Sequence, residues 1–380
     1  MRLTPHQLNR STLQRQLLLR REQLSVVEAF GRVLALQAQE PPSPYLALWN
    51  RIERFDPAEL EAAFTNQDVV KATLMRITQH AVLAVEYPLL HEAMQGTLCG
   101  SRLNDRRFRS TGLSIEQADA LVPHVLDFLS EPRRNADVDQ MVADHLGRDP
   151  DQYIWWALRT FGPIWRVPNG DRWSFGAYPE FIAANKEDAP SPSAGIGYLF
   201  RRYLEAFGPA SRQDFGQFAL LRQSEVKPEV DLLADELVRL EGPGGQVLYD
   251  VAGASIPEGD VTAPPRLLPM WDSVLFAYKD RTRIIPEEYR KSVIRSNGDS
   301  LPTLLVDGYV VGVWRPVEEG IEATAFHPLP DGAWDGLELE AERLVAFLAD
   351  RPPTIYSRYS RWWSELPDGE CRIIGTSSPG

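Results

Sequence analysis

The residues best suited to chemistry in this chain are two glutamines, Gln37 and Gln39, in the stretch LQAQEPPSP that begins at Leu36. Three of the five residues after Gln39 are prolines, which remove backbone donors and push the residues before them into extended conformations. In an extended segment alternate side chains share a face, so we expect the two carboxamides to point together; on a helix they would lie about 200° apart. Such a pair can hold a water molecule through its C=O and N–H groups. The composition alone is also typical of a polar loop after a helix.

Other groups that commonly carry chemistry are scattered along the chain. Glu40 adjoins the pair, but strand alternation places it on the opposite face. The six histidines lie far apart, and His80, close to Thr78, is more typical of a structural histidine than of a ligand. The sequence contains no HExxH, CxxC, Walker A or GxSxG motif, and its two cysteines, Cys99 and Cys371, are remote from each other. We therefore expect neither a metal site nor a cofactor.

The elements around the glutamine pair are predicted to form a module of helices and a hairpin. Thr4 begins a helix predicted over 4–20, and the capping-box pattern at Ser25 begins a second helix that ends before the pair. A third helix is predicted from Leu46 and a fourth from Asp56, followed by a strand pair. Helices followed by a short hairpin are the outline of a winged helix.

The same outline recurs further along the chain. Asn169-Gly170 lies between apolar runs and predicts a hairpin over 164–175. A helix predicted to run from Lys227 through Leu240 precedes a glycine-rich turn and another strand. Helical modules of this kind also serve simply as scaffolds, so the outline does not by itself establish DNA binding.

The last third of the chain is predicted to be mainly β, with a hairpin turn at Asp307-Gly308 and an irregular tail beyond Pro353. Together these patterns predict a helix-rich α+β fold built from several modules. The predicted bounds are 1–100, 101–188 and 194–255 for three winged helices, 260–350 for a β-module and 351–380 for a C-terminal tail.

Length, composition and charge are those of a soluble globular protein with several domains. The chain has 380 residues, of which 43% are hydrophobic and 24% charged. No apolar run is long enough for a membrane span and the N-terminus lacks a signal-peptide core, so we expect a cytoplasmic location. The net charge of −13 argues against a uniformly basic nucleic-acid binder, although basic residues cluster in 10–21, 102–109 and 279–295.

Several segments taken together resemble the AlkZ family of bacterial DNA glycosylases, which includes the YcaQ-type enzymes. The resemblance extends over residues 3–350 in the same order. The segments that carry it are Pro5–Arg10, Leu34–Gln39, Thr73–His80, Phe207–Pro209 and the run from Arg266 through Pro269.

The resemblance implies an enzyme that excises alkylated purines and unhooks DNA interstrand crosslinks, often for self-resistance in producers of alkylating antibiotics such as azinomycin. The catalytic signature of the family is a Gln-x-Gln pair, or Gln-x-Asp in the YcaQ branch, and Gln37 and Gln39 match the former. The implied fold has three tandem winged-helix domains in a C-shape plus a C-terminal β-module around a DNA channel. A hairpin of this module is implied to probe the duplex, and we place it at Asp307-Gly308.

This chemistry is consistent with the residue types. A carboxamide does not titrate near neutral pH, but its carbonyl dipole favours a developing oxocarbenium ion and it can hold the attacking water. That modest help suffices for a purine alkylated at N7 or N3, which is already cationic and departs as a neutral base. Only five lysines occur, the nearest in sequence being Lys71, so we expect a monofunctional hydrolase without a lyase step.

The expected partner is double-stranded DNA carrying alkylated or crosslinked purines, bound by a monomer and without a membrane. Arginines in the basic clusters suit phosphate contacts, although an exposed arginine is as often simply solvated. The predicted DNA-binding residues are Arg10, Arg20, Arg76, His80, Arg281, Arg283, Asp307 and Gly308.

Two further hypotheses follow from the same sequence. A non-enzymatic winged-helix regulator would bind undamaged DNA in a sequence-selective, salt-dependent manner. A sequestering protein would instead bind an alkylating drug directly, in the absence of DNA.

Overall fold

The computed structural model describes residues 2–184, 191–351 and 355–376 and shows a helix-rich α+β fold. The helices are α1 Pro5–Arg15, α2 Val26–Val33, α3 Pro42–Trp49, α4 Pro57–Thr65, α5 Tyr87–Leu103, α6 Arg106–Arg109, α7 Ile115–Phe128, α8 Asn135–Leu146, α9 Gln152–Phe161, α10 Pro192–Phe207, α11 Arg212–Ala219, α12 Gln223–Leu232, α13 Arg290–Val293 and α14 Asp331–Leu348. The strands are β1 Leu36–Gln37, β2 Val69–Thr73, β3 Gln79–Leu83, β4 Arg133–Arg134, β5 Ile164–Val167, β6 Glu180–Ala183, β7 Leu237–Glu241, β8 Val247–Val251, β9 Arg266–Leu268, β10 Thr303–Val306, β11 Tyr309–Val317, β12 Gly320–Ala325 and β13 Glu370–Ile374. Short 3₁₀ segments cover Met75–Ile77, Ser273–Leu275, Arg281–Arg283, Glu287–Tyr289 and Ser357–Glu365.

The described residues divide into two compact units. The first draws on Met1–Phe55, Leu204–Asp214 and Glu236–Gly380, and the second on Asp56–Tyr203 and Phe215–Asp235. The five predicted modules are finer than this division, and their bounds stay a prediction. Among the described helices, none combines the length and the apolar character needed to cross a membrane.

The helices on either side of the glutamine pair begin where their caps predict. Ser25 Oγ accepts from the Glu28 amide at 3.3 Å, and the Glu28 carboxylate accepts from the Ser25 amide at 2.8 Å, which is a capping box at the start of α2. Asp56 accepts from the Ala58 amide at 2.9 Å and so caps α4. Both predicted starts are confirmed. They could be predicted because the capping contacts join residues close in sequence.

The proline run differs from the prediction. α3 begins at Pro42, so Pro42 and Pro44 lie in its first turn rather than in an extended segment. Proline is tolerated there because the N–H groups of the first turn have no intrahelical acceptor. The predicted start at Leu46 is therefore wrong. The predicted first helix is also too long, since α1 ends at Arg15 and Leu17 adopts a φ of 57°.

The first unit contains an antiparallel sheet in the order β13-β12-β11-β10-β9, with α14 packed against it. Val306 pairs with Tyr309, leaving Asp307 and Gly308 as a two-residue turn with φ of 46° and 79°. Positive φ at both positions matches the twist of the flanking strands, and the predicted hairpin is confirmed. The prediction of an irregular tail is wrong, because β13 pairs with β12 and extends the sheet.

The second unit contains a sheet in which β3, β2, β5, β6 and β4 follow one another. β5 pairs with β6, which begins at Glu180, so the strand predicted within 172–175 is wrong. That segment is instead part of a loop. Asn169 Oδ1 accepts from the Gly176 amide at 3.0 Å, and the buried Phe175 ring packs edge-on against Phe64 at 4.9 Å. Long-range packing of an apolar side chain therefore overrides the local strand pattern.

The helix predicted to run from Lys227 through Leu240 is also wrong at both ends. α12 begins at Gln223 and ends at Leu232, whereas Leu240 lies in β7, which pairs with β8 in the first unit. Leu240 packs against a buried cluster formed by Leu3, Leu8 and Leu248. Burial against residues distant in sequence thus converts the end of an apparently helical run into a strand.

Candidate active site

The Gln-x-Gln segment joins α2 to α3 in the first unit. α2 ends at Val33. The φ of 71° at the next residue, Leu34, turns the chain out of the helix, and Leu36 and Gln37 form the short strand β1. Gln37 is 5% exposed and Ala38 is 1% exposed, whereas Gln39 is exposed. The extended conformation at Gln37 is confirmed. Burial does not alternate along the segment, however, so the two carboxamides differ in their access to solvent.

Buried polar contacts hold the chain before Gln37. Ser273 Oγ donates to the Ala35 carbonyl at 3.0 Å, and Gln16 Nε2 donates to the Val33 carbonyl at 3.4 Å. Asp272, the residue before Ser273, forms a two-pronged ion pair with Arg51, with both N–O distances 2.8 Å. Neither of these charged side chains is exposed. The entry to the segment is therefore fixed by groups that water cannot reach.

The chain after Gln39 is held by the C-terminal 3₁₀ segment and by Tyr356, the residue before it. The Tyr359 hydroxyl donates to Glu40 Oε1 at 3.0 Å, and the Arg358 guanidinium forms an ion pair with the same carboxylate. Ser43 Oγ and the Tyr356 hydroxyl form a buried hydrogen bond at 2.9 Å. Burial raises the pKa of both tyrosines, so both hydroxyls stay protonated at neutral pH. We name these three contacts the C-terminal clamp.

The C-terminal clamp was not predicted from the sequence. Its residues lie more than 300 positions from Glu40 in the chain, and their spacing carries no signal for a partner at that distance. The aromatic and basic composition of SRYSRWW was the available hint that this stretch is ordered.

The predicted DNA-binding residues at the hairpin turn are packed against α1. Arg10 is 2% exposed, its guanidinium forms an ion pair with Asp307, and it also donates to the Asp307 carbonyl at 3.0 Å. Asn9 Nδ2 donates to the Gly308 carbonyl at 2.9 Å, and a Cβ on Gly308 would lie 2.6 Å from Leu13 Cδ1. The Gly308 end of the turn is thus enclosed, whereas the Asp307 side chain is 53% exposed. A DNA-probing role for this turn and a surface contact by Arg10 stay predictions, and the burial of Arg10 and Gly308 disfavours them.

Arg76 and His80 lie together in the second unit, Arg76 in the 3₁₀ turn between β2 and β3 and His80 in β3. His80 is 1% exposed, and its Nδ1 lies 3.1 Å from the Thr78 carbonyl. Its Nε2 lies 3.3 Å from Arg76 Nη2, and because arginine can only donate, the ring is neutral with the proton on Nδ1. Burial, together with the charge of Arg76, lowers the pKa of His80 to about 3. An uncharged, buried ring is poorly suited to contact DNA phosphate.

The remaining predicted DNA contacts differ in exposure. Arg283 lies 3.8 Å over the Tyr278 ring and donates to the Pro209 carbonyl at 3.0 Å. Arg281 lies 5.1 Å over Phe276, and burial lowers its pKa. The Arg20 side chain is 83% exposed, which makes it the most accessible of the predicted set with a stated exposure. Their contact with DNA stays a prediction.

Among the described residues there is no group of three or more His, Cys, Asp or Glu that could hold a metal ion. The segment and its neighbours present carboxamides, hydroxyls and the clamped carboxylate. These groups can orient water and stabilise positive charge, which is the requirement of hydrolysis at a carbon that develops carbocation character.

A model of the family described as AlkZ-like DNA glycosylases matches residues 30–347, a range that includes both glutamines. The chain belongs to this family. It is accordingly an enzyme that hydrolyses the bond between a base and deoxyribose in DNA. Membership favours an enzyme over a non-catalytic regulator or a drug-sequestering protein, and it confirms the resemblance noted from the sequence.

Two comparisons with known proteins agree with this assignment. The chain is 28% identical over 338 residues to an interstrand DNA cross-link repair glycosylase of Streptomyces sahachiroi, covering 84% of this chain and 89% of the relative. Its fold is similar to that of the Streptomyces sahachiroi DNA glycosylase AlkZ, with a TM-score of 0.77 at 22% identity, covering 91% of this chain and 96% of that one.

Proposed function

We propose that this chain is a monofunctional glycosylase that excises N7- and N3-alkylated purines and unhooks interstrand crosslinks, with Gln37 and Gln39 as its catalytic residues. The observation that carries the proposal is the Gln-x-Gln segment, fixed at its entry by buried polar contacts and at its exit by the C-terminal clamp. A pre-positioned segment suits catalysis because its groups need no reorganisation during reaction. The name of the Streptomyces relative supports crosslinked DNA as a substrate.

In the proposed reaction the bond between C1′ of deoxyribose and N9 of the alkylated purine breaks. Its electron pair goes to the purine, which carries a positive charge from alkylation and leaves neutral. Water adds to C1′ and releases a proton to solvent, leaving an abasic site. The carboxamide carbonyls favour the positive charge that develops at C1′, which is the part of the reaction that neutral amides can assist.

The different solvent exposure of Gln37 and Gln39 supports different roles for the two side chains. Gln37 is 5% exposed, so its side chain is held by surrounding protein and can present one fixed dipole. Gln39 is exposed and can bind the attacking water. Glu40 is engaged by Tyr359 and Arg358, which supports a structural role for its carboxylate rather than that of general base.

The same exposure supports a crosslink as substrate. A crosslinked base cannot swing fully out of the duplex as a flipped base does, so an accessible Gln39 suits an open site. The succession of helix and hairpin in α4-β2-β3, α9-β5-β6 and α12-β7-β8 supports three tandem winged-helix modules on duplex DNA. We further propose that the enzyme acts as a monomer, in the cytoplasm where chromosomal DNA lies, and protects against an alkylating antibiotic such as azinomycin.

The test is release of N7-methylguanine and unhooking of a crosslinked duplex by the wild type and by Gln37→Ala, Gln39→Ala and the double variant. The matched control is Gln23→Ala, because Gln23 is an exposed glutamine of the same unit with one side-chain bond to Glu53. We expect each catalytic variant to lose at least about tenfold in rate, which corresponds to about 1.4 kcal/mol of transition-state stabilisation, and the control to retain activity. Undiminished activity in the double variant would exclude the catalytic assignment. Failure of the wild type on both substrates would exclude the proposed substrates.

A further inference from the structure

A basic cavity lies in the first unit, apart from the Gln-x-Gln segment. Its volume is about 630 Å³, and we name it the arginine pocket. Apolar walls are formed by Trp49, Phe55 and Phe347, among others. The charged residues that line it are Arg20, Arg21, Arg54, Arg266, Arg343, Glu53 and Glu340. Five arginines against two glutamates leave a net charge of +3, and adding Glu22, 3.9 Å from Arg20, still leaves +2.

The Glu340 carboxylate at the floor of the pocket is shared by three guanidinium groups, one of which, that of Arg343, reaches it from the exposed rim. Glu340, which is 5% exposed, accepts from Arg21 at 2.6 and 3.0 Å and from Arg343 at 3.0 Å. Arg266 lies 3.6 Å from the same carboxylate and is 4% exposed. Arg21 is further held by its bond to the Trp49 carbonyl at 2.9 Å and lies 4.6 Å over the Trp49 ring.

Among the described residues that line the pocket, Arg21 and Arg266 have side chains only 14% and 5% exposed, whereas Arg343 is mostly exposed. The single negative charge of Glu340 does not balance the two poorly exposed guanidinium groups, and an uncompensated buried charge is costly. Burial and then the charge of Arg21 lower the pKa of Arg266 to about 10. A bound anion in the pocket would offset the repulsion between these guanidinium groups.

The rim of the pocket supplies the groups that would meet such an anion. The side chains of Arg343 and Arg20 are 64% and 83% exposed, and Arg54 is exposed as well. Guanidinium groups present several N–H donors in a planar fork that matches the oxygens of a phosphate. The poorly exposed arginines of the floor therefore supply fixed positive charge, while the exposed arginine side chains of the rim can reorient to contact a ligand.

We propose that the arginine pocket binds a phosphate group. A phosphodiester of the DNA backbone and a free phosphorylated molecule share this chemistry. The proposal goes beyond the proposed function, because it involves neither glutamine of the pair and does not depend on which lesion is excised.

The test compares the wild type with Arg20→Gln/Arg54→Gln, whose side chains lie at the rim, so that the three guanidinium groups around Glu340 are left intact. A charge-matched control is Arg32→Gln/Arg239→Gln, which removes two exposed arginines of the same unit outside the pocket. Binding of an undamaged duplex is measured by fluorescence anisotropy over a range of salt concentrations. Binding of inorganic phosphate and pyrophosphate is measured by isothermal titration calorimetry.

If the ligand is the DNA backbone, the rim variant binds the duplex about tenfold more weakly at low salt. The slope of the logarithm of the binding constant against the logarithm of the salt concentration then falls in magnitude by about one for each phosphate that the variant no longer binds. If the ligand is a free molecule, duplex binding is unchanged and the wild type binds phosphate or pyrophosphate, whereas the rim variant does not. Equal effects of the rim and control variants on DNA, or no change in either measurement, would overturn the proposal. These are binding measurements on undamaged DNA and small anions, so their failure is separate from a failure of glycosylase activity.

Discussion

Replacing Tyr359 with phenylalanine should loosen the exit of the Gln-x-Gln segment while leaving the packing of the ring in place. The substitution removes only the hydroxyl that donates to Glu40 at 3.0 Å. The Tyr359 ring, which is 5% exposed and packs edge-on against Trp271 at 5.6 Å, keeps its neighbours. The same hydroxyl also accepts a hydrogen bond from the Arg358 guanidinium, so any effect reports on both contacts of this hydroxyl within the C-terminal clamp.

The magnitude follows from the surroundings of Glu40. A hydrogen bond to a charged group contributes about 1.5–3 kcal/mol. The Glu40 side chain is 14% exposed, and Arg358 still pairs with it after the substitution, so we expect the lower end, about 1.5 kcal/mol of unfolding free energy. The Arg358 side chain is 65% exposed, so its ion pair is screened and should contribute no more than about 1 kcal/mol.

Urea unfolding and single-turnover base release measure the two consequences. We expect Tyr359→Phe to lower both stability and the rate of N7-methylguanine release, the latter by up to about tenfold if most of the energy of the hydrogen bond appears in the transition state. A double-mutant cycle with Glu40→Gln isolates the interaction, with an expected coupling of about 1 kcal/mol. Tyr178→Phe is the matched control, because Tyr178 is 82% exposed.

The refuting result would be additive effects in this cycle, within about 0.3–0.5 kcal/mol, together with an unchanged rate. The hydroxyl would then neither hold Glu40 nor position the segment. A loss of stability with an unchanged rate would restrict the C-terminal clamp to a role in folding.

Two further predictions concern buried charged and titratable groups. Asp272→Ala should lower the free energy of unfolding by about 3–5 kcal/mol, because it leaves the unexposed Arg51 guanidinium without its carboxylate partner. In urea unfolding, the double variant Arg51→Met/Asp272→Leu should recover part of this stability. A loss below about 1 kcal/mol in Asp272→Ala would contradict the importance of the pair. The pKa of His80 is lowered to about 3 from 6.5, so between these values the unfolded chain binds a proton that the folded chain does not. Stability should therefore fall as pH drops below about 6.5, by roughly 2 kcal/mol at pH 5, and His80→Asn should lack this part of the pH dependence in urea unfolding at pH 7.5 and 5. An equal change in both proteins would contradict a neutral His80 in the fold.

Elements whose signals are local could be predicted from the sequence. The capping box at Ser25, the cap at Asp56 and the turn at Asp307-Gly308 depend on contacts between residues at most a few positions apart. These local contacts can form, and stabilise their elements, before residues distant in sequence come together. The catalytic role of Gln37 and Gln39 stays a prediction, although the family match covers both positions.

Elements that depend on distant partners could not be predicted in this way. The apolar run ending at Phe175 has a strand pattern, but the ring is buried against Phe64. Leu240 continues a helical pattern, but it is drawn into β7 by a cluster that includes Leu3 and Leu8. In each case burial of apolar surface outweighs the smaller local preference.

The sequence by itself determined which residue types stand in this segment: two glutamines one residue apart, with the nearest lysine in sequence at position 71 and no HExxH or CxxC motif. Tertiary structure decided the surroundings of these residues. It buries Gln37, exposes Gln39 and engages Glu40 through Tyr359 and Arg358 of the C-terminal segment. It also gathers arginines far apart in the chain around Glu340. Burial and charge balance depend on neighbours brought together by folding, and no local spacing in the sequence encodes them.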